Sequence, residues 1–527
     1  MTRPNLLLIT SDQQHWATLG VVNPKISTPN LDRLAALGTN FTRAYCPNPT
    51  CTPTRASILT GMYPSAHGAF TLGTKLNESV PTLGQHLHRR GYRSTLVGKA
   101  HFQPLKSTED CPSVEAFPGV RDLDFWRGFN DEHTPWYGFD HVELTRNHAD
   151  EYIVGQHYAL WLEDHGLANW RDHFQPRADG QRDTPTDGAA APPFKPGPGY
   201  GWRADMHWEL PAGLHYTAWT GERTIAAIDR AHRDGVPFFV WSSYHDPHPP
   251  YCVPEPWASM YRPEDMEVGD FIDGEFDDMP PPHRATRGTA PDAFAAWNAD
   301  GFGNHGYHPH TGVSRRELQE AEAIYYGMIS FMDASIGRTL DALQERGILG
   351  DTLIVFTSDH GHFLGQHGLV AKGPFHYEDV IRVPFLAAFG DRFRPGSTSE
   401  DLQSLVDLAP TFLTAAGMDT PREMQGVSQL AAWSGEAPAP RQRVIVENHH
   451  NASDAVHLRT LVTERYKLTV YRGRGWGELF DLREDPGELR NLFDDPASAG
   501  LRSALLMELV QADLEREPAP QPRVWAA

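Results

Sequence analysis

The feature that most constrains this chain is the alternation of short apolar runs, rich in β-branched residues, with segments of helical periodicity. Residues 5–10, 94–97, 238–241 and 352–357 have the composition of buried strands. Helices are predicted from Pro29 to just before Gly38, from just after Cys51 to Gly61, and over residues 316–346, where apolar side chains recur at helical spacing. This order predicts an α/β fold, with a large mixed, mostly parallel sheet flanked by helices.

Two long regions interrupt this rhythm, and a different pattern follows it. Residues 105–215 and 254–312 are polar and rich in Gly and Pro, which is uncommon in a compact domain unless the segment covers a site. We interpret both as insertions that shape a substrate pocket, with surface decoration as the alternative. After residue 436, strand-like runs and a closing helix near residues 498–514, with Ser498 as a candidate cap, predict a smaller C-terminal antiparallel sheet plus helix. We therefore expect a main α/β domain at 1–435 and an α+β subdomain at 436–527.

Composition disfavours several classes of protein. The formal net charge of −22 disfavours nucleic acid as a partner, because such a surface repels phosphate backbones. Four cysteines are too few for a disulfide framework in 527 residues. The N-terminal apolar run is too short for a signal peptide, and no apolar stretch is long enough to cross a bilayer. We therefore expect a cytoplasmic protein without a membrane partner, and its 27 histidines direct attention to metal and acid–base chemistry.

Unusual polar residues stand directly after the four predicted strands. They are Asp12 and Gln13 after the first, Lys99 and His101 after the second, His245, Asp246 and His248 after the third, and Asp359 and His360 after the fourth, with Lys372 and His376 shortly beyond. In an open parallel sheet, ligands bind outside the carboxyl ends of the strands. We therefore expect these groups to meet at one sheet edge, although each alone could be a turn cap or a solvated charge.

The residue types in this group predict metal-assisted chemistry on an oxyanion. Asp12 and Asp359 are hard oxygen ligands suited to Ca²⁺, Mg²⁺ or Mn²⁺, Gln13 adds a neutral oxygen, and the nitrogen of His360 favours Mn²⁺ or a similar ion. Positive charge and hydrogen-bond donors come from further side chains: Arg55, Lys99, His101, His248 and Lys372. Such a set stabilises the charge that develops on a sulfate, phosphate or phosphonate group.

Cys51 stands at a predicted helix start, where the backbone dipole favours a negative group. Arg55 lies four residues further on and therefore faces the same side of the first turn. An isolated cysteine is more often a small buried apolar residue, and this is our interpretation of Cys46, Cys111 and Cys252.

The segment around Cys51 resembles the signature of a known family. Residues 51–61 read Cys-Thr-Pro-Thr-Arg-Ala-Ser-Ile-Leu-Thr-Gly, similar to the Cys-x-Pro-x-Arg signature of the type I, formylglycine-dependent sulfatases of the alkaline phosphatase superfamily. Other segments resemble that family in the expected order: Gly-Lys-Ala-His at 98–101, Pro-His-Pro-Pro at 247–250, Thr-Ser-Asp-His-Gly at 357–361, Lys-Gly at 372–373 and Glu-Leu-Phe-Asp-Leu at 478–482. The resemblance spans nearly the whole chain outside the two insertions.

The resemblance implies the alkaline-phosphatase/sulfatase-like fold and hydrolysis of sulfate esters. In that family a formylglycine-generating enzyme oxidises the cysteine that matches Cys51, and the hydrated aldehyde is the nucleophile. The resemblance implies one divalent cation held by Asp12, Gln13, the modified Cys51, Asp359 and His360. It also implies that Arg55 and Lys99 stabilise the nucleophile, that His248 and Lys372 bind the sulfate and help to protonate the leaving oxygen, and that His101 takes the proton that releases sulfate.

Two departures from the family pattern keep other functions open. Many sulfatases have Asp where this chain has Gln13, and Asn where it has His360; this combination and residues 261–266 resemble the phosphonate monoester hydrolase branch. The pair Lys99 and His101 is sulfatase-like and would contact the transferred group, so we prefer a sulfatase and keep phosphonate monoester or phosphodiester hydrolysis as the alternative. A non-catalytic anion- or metal-binding protein with an intact thiol is the hypothesis from a different class.

The sequence leaves the substrate open among aryl, alkyl and carbohydrate sulfates. Tryptophans in or near the first insertion would either line an aromatic or sugar-binding pocket or anchor local packing: Trp126, Trp136, Trp170, Trp202, Trp208 and Trp219. The Pro-rich tail at 516–527 suggests contact with a neighbouring subunit in a homo-oligomer.

Overall fold

The computed structural model describes residues 3–146, 154–174, 208, 210–270, 272–287, 307–309, 314–450 and 456–517. The strands are β1 (Asn5–Ser11), β2 (Thr39–Phe41), β3 (Ala44–Tyr45), β4 (Arg93–Gly98), β5 (His141–Leu144), β6 (Phe238–Ser243), β7 (Tyr307–Pro309), β8 (Thr352–Ser358), β9 (Phe363–Leu364), β10 (Leu369–Ala371), β11 (Arg382–Val383), β12 (Phe385–Ala388), β13 (Ser397–Ser399), β14 (Gln403–Ser404), β15 (Val444–His449), β16 (His457–Val462), β17 (Tyr466–Tyr471) and β18 (Gly477–Asp481). The α-helices are α1 (Pro29–Leu37), α2 (Cys51–Thr60), α3 (Pro64–His67), α4 (Leu83–Arg89), α5 (Leu123–Glu132), α6 (Gln156–Asp164), α7 (Tyr216–Arg233), α8 (Pro281–Ala285), α9 (Arg315–Glu345), α10 (Glu378–Ile381), α11 (Leu408–Ala415), α12 (Leu430–Trp433) and α13 (Ala499–Glu515).

An eight-stranded sheet in the order β13-β2-β12-β8-β1-β6-β4-β5 forms the centre of the molecule. β1 lies between β8 and β6 and pairs with both in parallel, and β4 and β5 continue the parallel arrangement. β12 is antiparallel to both of its neighbours, β8 and β2. The predicted mixed, mostly parallel sheet is therefore confirmed.

Side chains that alternate along β1 explain why helices cover both faces of this sheet. Leu7 and Ile9 belong to a buried cluster with apolar residues of α1, α7 and α9, and Leu6 and Leu8 belong to another with residues of α2, α4 and α11. Successive strand residues point to opposite faces, so a central strand that is apolar throughout needs a cover on each side.

The C-terminal strands β15 to β18 form an antiparallel sheet in sequence order. α13 packs on it through Leu505 and Leu509, which share a buried cluster with Ile445 and Leu461. Ser498 precedes α13, but its side chain makes no capping hydrogen bond. The predicted small sheet plus helix is confirmed, while the domain division near residue 436 stays a prediction.

The first predicted insertion contributes to the central sheet as well as to the surface. β5 lies within residues 105–215 and pairs with β4 at the edge of the sheet. The five tryptophans described in or near this region are buried, from 0% exposure for Trp126 to 7% for Trp208, which fits packing anchors. Trp202, the Pro-rich run at 192–199 and the tail beyond residue 517 lie outside the described residues.

The described helices include none with the length and apolar character that crossing a membrane requires. The cytoplasmic location stays a prediction.

Candidate active site

The register of the central strands brings the two predicted carboxylates together. Because β1 and β8 are parallel neighbours with Ser11 opposite Ser358, the residues that follow them lie side by side. The Asp359 amide donates to the Ser11 carbonyl at 3.3 Å, and the Gln13 amide donates to Asp359 Oδ1 at 3.0 Å. Gln13 has a φ of +64°, in the left-handed region that non-glycine residues seldom adopt outside constrained sites.

Cys51 is the first residue of α2 and points into the same edge of the sheet. Its Sγ lies 3.6 Å from Asp12 Oδ1 and 3.2 Å from His360 Nε2. The chain enters the helix through Asn48, whose carbonyl accepts from the Thr54 hydroxyl at 2.5 Å. The thiol therefore stands at the helix N-terminus, as predicted, and is buried.

Four ligand groups lie close enough to share one metal ion. Ligand atoms of Asp12, Cys51, Asp359 and His360 all lie within 4.8 Å of one another, and all four residues are buried. His360 Nδ1 is 3.0 Å from the Gly361 carbonyl and donates to it, which leaves Nε2 as the ligand nitrogen. Gln13 Oε1 is buried without a hydrogen-bond partner among the described residues, so a further oxygen is available. The carboxylates, the Gln13 oxygen and the His360 nitrogen fit Ca²⁺, Mg²⁺ or Mn²⁺, whereas the Cys51 sulfur is a softer donor.

Three buried cations surround the same sulfur. Lys372 Nζ donates to Cys51 Sγ at 3.0 Å, while Lys99 Nζ lies 3.7 Å from Sγ and forms an ion pair with Asp12. Arg55 is held by Asp359 Oδ2 at 2.9 Å, the Lys99 carbonyl at 3.0 Å and Ser243 Oγ at 2.6 Å. Charges this deeply buried persist only when they are paired, as they are here.

The pKa values of the two buried lysines are shifted in opposite directions. Burial lowers the pKa of Lys99 more than the charges of Asp12 and Cys51 raise it, so the net pKa lies below its ordinary value. Burial also lowers the pKa of Lys372, but Cys51, Asp12 and Asp359 outweigh burial and raise it. For Cys51, burial and Asp12 raise the pKa, yet Lys372 and Lys99 bring the net value below that of an ordinary thiol.

The two predicted proton-transfer histidines lie at the site in neutral form. His248 Nε2 is 3.4 Å from Lys372 Nζ; burial, reinforced by Lys372 and Lys99, holds the pKa of His248 well below its ordinary range. Burial, then the charges of Arg146, Lys99 and Arg55, lowers the pKa of His101 in the same way. His101 Nδ1 has no hydrogen-bond partner among the described residues. A neutral ring with an available nitrogen can accept a proton.

The structure corrects one placement and adds residues that the strand-end pattern missed. His376 was expected near Lys372 at the site, but its Nδ1 lies 2.7 Å from Thr460 Oγ1 in the C-terminal sheet. His362 instead lies beside Gln13, with 2.8 Å between its Nδ1 and Gln13 Nε2, and Tyr251 contacts His362 in turn at 2.5 Å. A second histidine in the loop after β8 was the available signal for His362, whereas nothing in the sequence pointed to Tyr251.

Comparison with known proteins assigns the family. A family model described as Sulfatase matches residues 4–418. The chain belongs to the sulfatase family. A second model, described as N-sulphoglucosamine sulphohydrolase, C-terminal, matches residues 365–515. The chain is therefore a hydrolase of the alkaline phosphatase superfamily, as its resemblance to sulfatases implied.

Two relatives match over nearly their whole length. An arylsulfatase of Clostridium perfringens is 29% identical over 512 residues, which cover 93% of this chain and 90% of the relative. The multifunctional alkaline phosphatase superfamily protein PehA of Trinickia caryophylli is 28% identical over 563 residues, with 97% and 96% covered.

Two solved structures share the fold of this chain. The phosphonate monoester hydrolase of Agrobacterium radiobacter has a TM-score of 0.73 at 26% identity, and the match covers 98% of this chain and 96% of that chain. BT4656 in complex with its substrate D-glucosamine-2-N,6-O-disulfate has a TM-score of 0.66 at 20% identity, with 99% and 100% covered. The predicted sulfatase-like fold is confirmed.

Proposed function

We propose that this sulfatase-family hydrolase cleaves sulfate esters with a formylglycine nucleophile derived from Cys51 and one divalent metal ion. One observation carries the proposal: Cys51 Sγ lies among the metal-ligand atoms and also within 3.7 Å of both Lys99 and Lys372. A nucleophile between a cation site and two buried ammonium groups is the arrangement that transfer of an oxyanion requires.

Asp12, Gln13, Asp359, His360 and the modified residue 51 would hold the metal ion. The close cluster of ligand atoms and the unpartnered Gln13 oxygen support this assignment. When bound, a Ca²⁺, Mn²⁺ or Mg²⁺ ion favours ionisation of a hydroxyl ligand and balances charge on the transferred group.

Conversion of Cys51 would require a formylglycine-generating enzyme as a partner during maturation. The hydrated aldehyde would supply two hydroxyl groups on one carbon, one as the nucleophile toward sulfur and one whose proton could be removed to release sulfate. Release by C–O cleavage would make attack of water on sulfur unnecessary.

Arg55 and Lys99 would hold the nucleophile in place. Arg55 is fixed by contacts to Asp359 and Ser243, and Lys99 by its ion pair with Asp12, so neither needs to reorganise during the reaction. Donors that are already oriented stabilise the transition state more than mobile donors do, because orienting them requires no further free energy.

Lys372 and His248 would bind the sulfate and deliver a proton to the leaving oxygen. The 3.4 Å contact between Lys372 Nζ and His248 Nε2 supports a shared role. The neutral His101 would accept the proton that the second hydroxyl loses. Its depressed pKa keeps the ring unprotonated before that step, as a proton acceptor requires.

Phosphonate monoester or phosphodiester hydrolysis is the second candidate. The observation that favours it is the 26% identity and near-complete coverage with a phosphonate monoester hydrolase, together with Gln13 and His360 among the candidate ligands. The same residues would act on phosphorus, so we expect one protein to hydrolyse both kinds of ester, at different rates.

The test combines a peptide mass spectrum over Cys51 with assays of 4-nitrophenyl sulfate and a phenylphosphonate monoester on one sample. Conversion removes one sulfur and two hydrogens and adds one oxygen. We expect conversion and faster turnover of the sulfate. Faster turnover of the phosphonate would assign the second candidate function, and an intact thiol in fully active protein from the native host would refute the formylglycine mechanism.

A further inference from the structure

We propose that His362, supported by Tyr251, is a positioning residue that orients the Gln13 amide so that its oxygen, and not its nitrogen, is presented to the metal ion. The proposal rests on the metal site proposed above. It concerns two residues outside the predicted site set, both of which are buried.

A glutamine ligand creates a problem that a carboxylate does not have. The side-chain amide has one oxygen that can bind a cation and one NH₂ group that can only donate hydrogen bonds. The two ends are nearly equal in size, so packing alone does not distinguish them. A glutamine at a ligand position therefore needs an acceptor that holds its NH₂ end away from the cation.

His362 supplies that acceptor. Gln13 Nε2 lies 2.8 Å from His362 Nδ1, and because the amide nitrogen can only donate, Nδ1 is the acceptor and the ring proton sits on Nε2. Tyr251 Oη is 2.5 Å from His362 Nε2 and accepts that proton. Gln13 Oε1 is then left, buried and without a hydrogen-bond partner among the described residues.

The imidazole plane is fixed by two tyrosines. The Tyr325 ring stacks on His362 with centroids 5.0 Å apart and an angle of 14° between planes, and the Tyr251 ring meets it edge-on at 5.9 Å. The Tyr325 hydroxyl donates to the Gln13 carbonyl at 2.9 Å. Tyr325 thus holds the backbone of Gln13 directly and the side chain of Gln13 through His362.

The first experiment measures Mn²⁺ affinity of chelator-stripped protein by calorimetry, with the thermal midpoint as a second readout. His362→Phe keeps the ring and its stacking but removes the Nδ1 acceptor, so we expect the Kd to rise about 10- to 100-fold, the usual range for such partners of ligands. His362→Asn offers an oxygen near the Nδ1 position and should restore most of the affinity. His376→Phe, another buried histidine replacement, is the matched control and should leave the Kd unchanged.

A double-mutant cycle distinguishes orientation of the Gln13 amide by His362 from a merely structural role of His362. Gln13→Glu places a carboxylate, whose two oxygens are equivalent, at the same position. In that background His362→Phe should leave Mn²⁺ affinity almost unchanged, because a carboxylate has no wrong end. A merely structural role for His362 would weaken binding equally in both backgrounds and would overturn the proposal.

The remaining outcomes also decide the question. Wild-type affinity in His362→Phe would contradict the proposal; if that variant does not fold, Tyr251→Phe should still raise the Kd, by roughly 3- to 10-fold. If Gln13→Ala binds Mn²⁺ as tightly as wild type, Gln13 is not a ligand and the proposal fails with it. Since the readout is metal affinity, absence of sulfate turnover would count against the proposed function alone.

Discussion

Two buried charged clusters in this molecule show how differently the same kinds of side chain can be used. The site cluster comprises Asp12, Cys51, Lys99, Asp359 and Lys372. The junction cluster comprises Glu378, Lys467, Glu478 and Glu488 and lies where α10 meets the C-terminal sheet. Each buries lysine and carboxylate side chains, and the largest exposure in either cluster is the 13% of the Glu378 side chain.

The difference between them lies in what each cluster leaves available to a ligand. In the junction cluster, Lys467 pairs with Glu488 and, at 3.4 Å, with Glu378, while Tyr471 donates to Glu478 at 2.5 Å. In and around the site cluster, ligand atoms of Asp12, Cys51, Asp359 and His360 lie within 4.8 Å of one another. Burial of charge alone therefore does not identify a functional site, whereas ligand atoms that converge on one position do.

The largest expected effect is a loss of turnover when the nucleophile of the site cluster is removed. Cys51→Ala removes the nucleophile, so we expect turnover to fall by on the order of 10⁴ or more. The thermal midpoint should change little, because alanine leaves only a small cavity at the start of α2. Steady-state kinetics and differential scanning calorimetry measure the two quantities, and turnover retained in this variant would contradict the site assignment.

The junction cluster should show the opposite response. Lys467→Met leaves buried carboxylates without their cation, so we expect the free energy of unfolding to fall by about 3–5 kcal/mol. At a temperature where the variant is folded, kcat/KM should equal that of wild type. Denaturant unfolding measures the loss, and Arg465→Met, which removes the surface partner of Asp481, is the control with an expected loss of roughly 1 kcal/mol or less. A large fall in kcat/KM would show that the junction is not purely structural.

Lys372 tests the cationic half of the site cluster. Lys372→Met removes the ammonium group 3.0 Å from Cys51 Sγ, so we expect kcat/KM to fall by roughly 10²–10³. Lys25→Met, at an exposed surface pair with Glu267, should leave kcat/KM unchanged. Equal activity of the two variants would remove Lys372 from the catalytic group.

The smallest effect concerns pH and the junction cluster. Burial raises the pKa of Glu478 from its ordinary 4.5 to about 7, so between these values the folded protein binds a proton that the unfolded chain does not. Stability from this group is therefore lost as pH rises through that window. Relative to Glu478→Gln, wild type should lose about 2–3 kcal/mol between pH 5 and pH 8. Thermal midpoints of both proteins across this range measure it, and parallel curves would contradict the assignment.

Sequence patterns predicted the sheet and the carboxylate side of the site because both follow from local rules. Asp12 and Asp359 stand directly after parallel neighbouring strands, so their meeting needed only the strand order. Cys51 and Arg55 needed only one helical turn. These relations hold whatever the rest of the chain does.

The remaining features depend on contacts between distant segments, which no local pattern contains. Lys372 reaches Cys51 while His376, just beyond it, turns toward the C-terminal sheet, so proximity in sequence was misleading there. Tyr251 meets His362 only through the tertiary fold. Lys467 lies on a strand whose alternation is typical of a half-exposed sheet, and its complete burial follows from the junction alone.

The formylglycine nucleophile can be tested by measuring turnover of 4-nitrophenyl sulfate as a function of the fraction of residue 51 that is converted to formylglycine. Samples with different conversion, each quantified by peptide mass spectrometry, give that relation. We expect a straight line through the origin, with no activity from the unconverted protein. Turnover that does not depend on conversion would contradict it.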